Sequence, residues 1–117
     1  MQFVTNIDIE KVGTSLVLKY ESENGRVVKQ QKYRGCGWDI CTGNDQETRY
    51  IEIKTSKSKK LVGRWLERHG FEQLRNNKDF WVYSVTECDE NGTGVIKTYR
   101  GKDLKYKLET KYVLEFD

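Results

Sequence analysis

The sequence contains no proline and only one histidine among its 117 residues. The lack of proline, of repeats and of low-complexity stretches gives no sign of a linker, so we expect a single domain over residues 1–117. The lone histidine, His69, excludes a metal site built from two histidines. It also makes Ser-His or Cys-His catalysis depend on one residue in a polar segment. Such chemistry is therefore not expected.

Cysteine is scarce as well, and its three copies are odd in number with no CxxC spacing. A disulfide framework or a zinc site is not expected from this pattern, and we predict buried or half-buried thiols at Cys36, Cys41 and Cys88. No apolar run approaches the roughly 20 residues of a membrane span. The first residues lack the basic-then-apolar layout of a secretory signal. The expectation is a cytoplasmic protein without membrane contact.

The composition of the chain, with 36% hydrophobic and 33% charged residues, is that of a globular domain. Its first apolar residues follow a helical spacing: Ile9, Val12, Leu16 and Tyr20. We expect a helix there, with Asn6 or Asp8 capping its start and Gly25 ending it.

Strand patterns fill most of the remaining sequence. Apolar alternation and β-branched residues predict strands at residues 27–33, 38–40, 49–55, 80–86 and 95–99. A second helix is expected at 71–77, while 57–67 is ambiguous between loop, strand and helix. A short helix and an edge strand at 112–116 would end the chain. The predicted order, α-β-β-β-α-β-β, describes an α/β (α+β) fold with a central mixed sheet flanked by helices.

The strand at 49–55 carries the candidate chemistry. Side chains alternate along a strand, so Glu52 and Lys54 project from one face. A carboxylate can hold a hard divalent cation, and an ammonium can orient water and offset phosphate charge. The backbone carbonyl of Ile53, between them, is a candidate third metal ligand. A hairpin would bring Asp39 beside this strand, so that Asp39 and Glu52 could share one metal.

An acid-x-Lys triplet alone is weak evidence, since the chain repeats it at residues 103–105 and 109–111. The triplet at 52–54 differs in context, because it lies in an alternating strand that follows a Gly-Trp-Asp-Ile segment. A solvent-facing strand with an exposed Glu52 and Lys54 is the plain structural alternative.

The segments GWDI and ETRYIEIKTS resemble the catalytic core of PD-(D/E)XK nucleases, in particular the Mrr-like branch and its NO VEIN C-terminal-type domains. RWLERHGFEQL and FWVYSV extend the resemblance, which covers roughly residues 9–100. It implies a restriction-endonuclease-like core and a DNA endonuclease that uses Mg²⁺ or Mn²⁺. By this resemblance Asp39 and Glu52 are catalytic metal ligands, and Lys54 is the catalytic residue that positions the attacking water.

Relatives in this superfamily often carry a further acid on the first helix. Glu21 and Glu10 are the candidates here for an additional metal ligand, while Ser15 stands where an acid would be expected. With the strand interpreted as catalytic, a basic run after it becomes a candidate contact to the nucleic-acid backbone: Lys57, Lys59, Lys60 and Arg64. A double-strand cut would require a homodimer.

Three other interpretations stay open at the level of sequence. One is a Holliday-junction resolvase-like nuclease on the same fold. Another is a catalytically idle module that binds nucleic acid or protein. The last is a small structural or inhibitory partner protein, which would not show salt-dependent binding to nucleic acid.

Overall fold

The computed structural model describes residues 5–61, 65–107 and 114–116. Within these ranges a five-stranded sheet has the order β1-β2-β3-β4-β5. The strands are β1 (Val27–Gln31), β2 (Ile40–Gly43), β3 (Thr48–Thr55), β4 (Phe80–Thr86) and β5 (Val95–Arg100). The helices are α1 (Asn6–Glu23) and α2 (Arg68–Asn76), and a single 3₁₀ turn covers Gly101–Asp103.

The sheet is mixed. Strands β3 and β4 pair in parallel, and the other three neighbouring pairs are antiparallel. Parallel neighbours need a crossover connection, which α2 supplies between β3 and β4. The predicted mixed sheet with flanking helices is confirmed, in the predicted order.

Alternation along the strands separates two hydrophobic cores on the two faces of the sheet. The core under α1 is formed by Ile9, Val17, Ile40, Ile51, Tyr83, Val85 and Cys88. The core under α2 is formed by Cys36, Trp38, Cys41, Leu74 and Phe80. All three cysteines are buried free thiols, as predicted. Neighbouring residues of β2 and β3 therefore face different cores, which decides where each polar side chain can lie.

Helix α1 begins one turn before the apolar face that predicted it. Its N-cap is Thr5 and not Asn6 or Asp8. The Thr5 hydroxyl accepts a bond from the Asp8 N–H, and the Asp8 carboxylate accepts one from the Thr5 N–H. This reciprocal pair is a capping box. Gly25 follows the helix end with φ of +75°, as expected for a C-terminal stop.

The first two strands are shorter or shifted relative to the prediction. Strand β1 ends at Gln31, after a bulge between Val28 and Gln30. Strand β2 begins at Ile40, because Gly35 and Gly37 adopt positive φ and keep the chain out of the extended conformation.

Thr42 and Gly43 belong to β2 and pair with β3, so the turn between these strands begins at Asn44. The turn is closed by Asn44, whose N–H donates to the Glu47 carbonyl. The Asn44 side-chain oxygen also accepts from the N–H groups of Gln46 and Glu47.

The remaining elements differ from prediction only at their ends. Helix α2 begins at Arg68, three residues early, and β5 extends to Arg100. Among the described residues of 57–67 there is no helix or strand. Arg64 lies outside the described residues. So does the start of the predicted strand at 112–116, whose described residues 114–116 have no regular structure. No helix in the described part of the chain has the length and apolarity to cross a membrane.

Candidate active site

An open cleft of about 920 Å³ lies on the α2 side of the sheet. Its walls come from the loop between β1 and β2, from β3 and from the segment before α2. The lining residues that carry the argument below are Lys32, Tyr33, Arg34, Asp39, Glu52, Lys54, Trp65 and Glu67. The three residues predicted as catalytic, Asp39, Glu52 and Lys54, thus share one cleft.

Asp39 is held against β3 by its backbone and its side chain. Its N–H donates to the Ile51 carbonyl at 2.7 Å, which extends the β2–β3 pairing by one residue. Its Oδ2 atom accepts a 2.7 Å bond from the Ile53 N–H. The predicted hairpin between these strands is confirmed, and its observed register, in which Ile40 pairs with Ile51, sets Asp39 opposite Glu52.

Glu52 projects to the same side as the Asp39 carboxylate, away from the core under α1 that contains Ile51. Burial raises the pKa of Glu52 to about 8, with further contributions from a hydrogen bond to Asp39 and from its negative charge. The Lys54 ammonium opposes this rise in pKa, and the Glu67 carboxylate adds to it. The Asp39 and Glu52 carboxyl groups are therefore direct neighbours in the cleft.

Lys54 also faces the cleft. Its Nζ donates a 2.9 Å hydrogen bond to the Trp65 carbonyl, which fixes the ammonium between β3 and the segment that precedes α2. Lys54 and Glu52 both line the cleft, and the Lys54 ammonium acts to lower the pKa of Glu52. The plain alternative, in which both side chains point into bulk solvent, does not describe this geometry.

The Ile53 carbonyl is directed to the side of the strand on which Asp39 lies. In an extended strand the N–H and C=O of one residue point to the same neighbour. The Ile53 N–H donates to Asp39 Oδ2, so its carbonyl also faces the β2 side. Carboxylate oxygens from Asp39 and Glu52 and this carbonyl form the oxygen-only donor set that Mg²⁺ prefers.

The donor set fits a divalent cation on electrostatic grounds. A divalent cation between the Asp39 and Glu52 carboxyl groups would replace the repulsion between two neighbouring negative charges by attraction to the ion. Within the described ranges no group of three or more His, Cys, Asp or Glu side chains gathers in a geometry suited to a metal. A bound ion would hence depend on two carboxylates, the Ile53 carbonyl and water, a pattern usual for magnesium.

Glu21 lies on the other face of the sheet, away from Asp39 and Glu52. Its carboxylate is buried and accepts two hydrogen bonds from Arg26, at 2.9 and 2.7 Å. It also accepts bonds from Thr42 at 2.6 Å and from Tyr83 at 2.9 Å. The expectation of an additional metal ligand at Glu21 is corrected accordingly: its oxygens are occupied by a buried ion pair. Glu10 is exposed on α1 and does not line the cleft.

The cleft contains none of the described basic residues that were predicted to contact the nucleic-acid backbone. Lys57, Lys59 and Lys60 are exposed beyond the end of β3 and are not among the lining residues. Lys32 and Arg34, from the loop between β1 and β2, line the cleft instead.

Sequence reasoning missed Lys32, Tyr33, Arg34 and Glu67. The available signal was the Gly-Cys-Gly segment after Arg34. A Cβ atom added at Gly37 would lie 2.4 Å from the His69 carbonyl oxygen. The loop that contains Gly37 therefore packs directly on the start of α2.

The sequence matches a family model described as Protein NO VEIN, C-terminal, over residues 9–98. This match covers most of the chain, from α1 to β5, and includes the cleft. The chain therefore belongs to this family. Comparisons with curated proteins and with solved structures return no match.

Proposed function

We propose that this protein is a metal-dependent endonuclease of the PD-(D/E)XK type that hydrolyses phosphodiester bonds in DNA. Asp39 and Glu52 bind Mg²⁺ or Mn²⁺, and Lys54 positions the attacking water. The observation that carries the proposal is the pairing of the Asp39 and Glu52 carboxyl groups, side by side in an open cleft, with Lys54 facing the same space.

A purely structural role explains this pairing poorly. Burial and the neighbouring Asp39 carboxylate make ionisation of Glu52 more costly, and the Lys54 ammonium offsets this only in part. Structural carboxylates are instead found with cationic partners, as Glu21 is with Arg26 at 2.7 Å. The contrast between the two sites supports a ligand-binding role for Asp39 and Glu52.

The chemistry of each side chain follows from its position. When bound, the metal ion would stabilise charge on the phosphate and lower the pKa of a bound water molecule. Asp39 keeps its carboxylate directed by the bond from Ile53, so little ordering is needed when the ion binds. An ammonium has three N–H donors. The bond from Lys54 to the Trp65 carbonyl is thus compatible with contacts to water and to a phosphate oxygen.

One site of this kind cuts one strand. A double-strand cut, or symmetric cleavage of a four-way junction, would need two copies of the chain related by symmetry. We therefore include a homodimer on DNA in the proposal for any double-strand product.

The proposal is tested by nicking of supercoiled plasmid with Mg²⁺ or Mn²⁺, comparing the wild-type protein with Glu52→Ala and Glu52→Gln. Glu90→Gln is the matched control, because Glu90 is an exposed acid in the turn after β4, outside the cleft. We expect nicking by the wild type and by the control, with loss in both Glu52 variants and in EDTA.

The same variants separate the proposal from the idle binding module. If the wild-type protein nicks no faster than Glu52→Ala in either metal, while both bind DNA, the catalytic proposal is wrong. Isothermal titration of Mn²⁺ then shows whether the carboxyl pair holds an ion at all.

A further inference from the structure

Two exposed aromatic side chains border the cleft that contains Asp39 and Glu52. Tyr33 is 58% exposed and Trp65 is 53% exposed, although large aromatic rings are usually covered in a domain of this size. Both belong to the lining of the cleft. The backbone of Trp65 is tied to the site, since the Trp65 carbonyl accepts the bond from Lys54.

The ring of Tyr33 is fixed in its exposed position. It packs edge-on against the buried Trp38 ring, with a centroid separation of 5.7 Å and an interplanar angle of 89°. An edge-on contact leaves a face of the Tyr33 ring available for stacking. Trp38 directly precedes Asp39, so the ring position is coupled to the catalytic end of β2.

Charged groups accompany the rings. Lys32 and Arg34 flank Tyr33 in sequence and line the same cleft. Exposed aromatic rings beside cationic side chains are the pattern by which proteins bind single-stranded nucleic acid, because phosphates contact the cations while bases stack on the rings.

We infer that the cleft binds an unpaired, single-stranded stretch of nucleic acid, with Tyr33 and Trp65 stacking on its bases and Lys32 and Arg34 contacting its phosphates. The inference rests on the proposed nuclease function and names the form of its substrate. The phosphate to be cleaved would then be adjacent to the stacked nucleotides and would face the carboxyl groups of Asp39 and Glu52.

A duplex does not use these rings. In double-stranded DNA the bases stack on one another and present only their edges in the grooves, so an aromatic face gains no stacking partner. The cleft volume of about 920 Å³ leaves room for a few splayed nucleotides.

The test measures binding by fluorescence anisotropy, with a labelled single strand of about 12 nucleotides, a length within the range of known single-strand sites. The same sequence as a duplex is the comparison, with calcium present and each oligonucleotide checked afterwards for cleavage. The variants are Tyr33→Leu and Trp65→Leu, which keep apolar bulk but remove the ring. Tyr33→Phe keeps the aromatic ring and removes only the hydroxyl. Tyr99→Leu removes an exposed tyrosine on β5, outside the cleft.

We expect the wild type to prefer the single strand. Each cleft leucine variant should weaken single-strand binding by about 5- to 100-fold and duplex binding by less than about twofold. Tyr33→Phe and Tyr99→Leu should bind as the wild type does. Thermal unfolding, monitored by circular dichroism, checks that the Tyr33→Leu variant remains folded although it loses the contact to Trp38.

Equal affinity for single strand and duplex, or no loss of single-strand binding in both leucine variants, would overturn the inference. Its failure is distinguishable from failure of the proposed function. Plasmid nicking that depends on Glu52 but ignores both rings would contradict only the single-strand inference. Ring-dependent single-strand binding without any cleavage would contradict only the nuclease proposal.

Discussion

The Asp39 carboxylate accepts a 2.7 Å hydrogen bond from the backbone N–H of Ile53, the residue between Glu52 and Lys54. One carboxylate oxygen thus ties the start of β2 to the strand that carries the other two candidate site residues, Glu52 and Lys54. This bond fixes the position of the Asp39 carboxylate relative to β3. A substitution that keeps the bond but removes the negative charge can therefore separate the structural role of Asp39 from its proposed role in metal binding.

Asp39→Asn should keep the fold and lose the activity. The amide oxygen of asparagine can accept the same bond from Ile53, but the negative charge is gone. We expect cleavage to fall by about 100-fold or more, because several kcal/mol of metal-dependent stabilisation are lost. Plasmid nicking and urea unfolding measure the two effects on the same preparation.

The control for this change is Asp45→Asn, at an exposed position in the β2–β3 turn. Nearly unchanged cleavage in Asp39→Asn, with a normal fold, would remove Asp39 from the metal site.

Much of the fold was predictable because its strands carry strong local patterns. Residues 80–86 were predicted at their observed bounds, since this apolar, β-branched run is buried on both faces of the sheet. The ends of β1 and β2 were not predictable, because they depend on the contact between Gly37 and the His69 carbonyl, residues 32 positions apart. The Gly-Cys-Gly segment is a local sign of a bend, but it does not identify the distant residue against which the loop packs.

The site was predictable in part for the same reason. Glu52 and Lys54 share a face through simple alternation, and hairpin geometry brings Asp39 beside them. Lys32 and Arg34 escaped prediction because their place depends on where the loop after β1 folds. Glu21 was misjudged because its partner Arg26, five residues away, gave no visible signal of a buried pair until the sheet was formed.

The raised pKa of Glu52 predicts how stability depends on pH in the absence of metal. Between its ordinary value of 4.5 and about 8, the folded protein keeps a proton on Glu52 that the unfolded chain has released. The free energy of unfolding should therefore fall as pH rises through this window, by at most about 1.4 kcal/mol per pH unit. Urea unfolding in EDTA across the window measures the slope.

Glu52→Gln is the matched variant for that slope, because its amide does not titrate. Its stability should depend less on pH than that of the wild type over the same range. Parallel curves for the two proteins would show that Glu52 titrates normally in the folded state.

Lys54→Met should separate metal binding from catalysis. Methionine keeps the apolar stem and removes the ammonium that faces Glu52 and bonds to the Trp65 carbonyl. We expect cleavage to fall by about 10²–10³-fold, as for loss of one charged group at a developing negative charge. Mn²⁺ affinity should be retained, since both carboxylates remain, and calorimetry checks it.

Lys59→Met is the control, because Lys59 is exposed and outside the cleft. If Lys54→Met loses Mn²⁺ affinity, and its cleavage rate falls by no larger a factor than that affinity, Lys54 has a structural role only.

Glu21→Gln should damage stability without affecting the metal site. The change leaves the buried Arg26 guanidinium without its main charged partner, although Glu47 remains 3.1 Å away. We expect a loss of about 3 kcal/mol in the free energy of unfolding, whereas Glu23→Gln, at an exposed position on the same helix, should be close to neutral. Below the unfolding temperature, Mn²⁺ affinity and plasmid nicking should match the wild type. A variant that instead keeps its stability and loses Mn²⁺ affinity would place Glu21 among the metal ligands, and the separation of the two faces of the sheet would have to be abandoned.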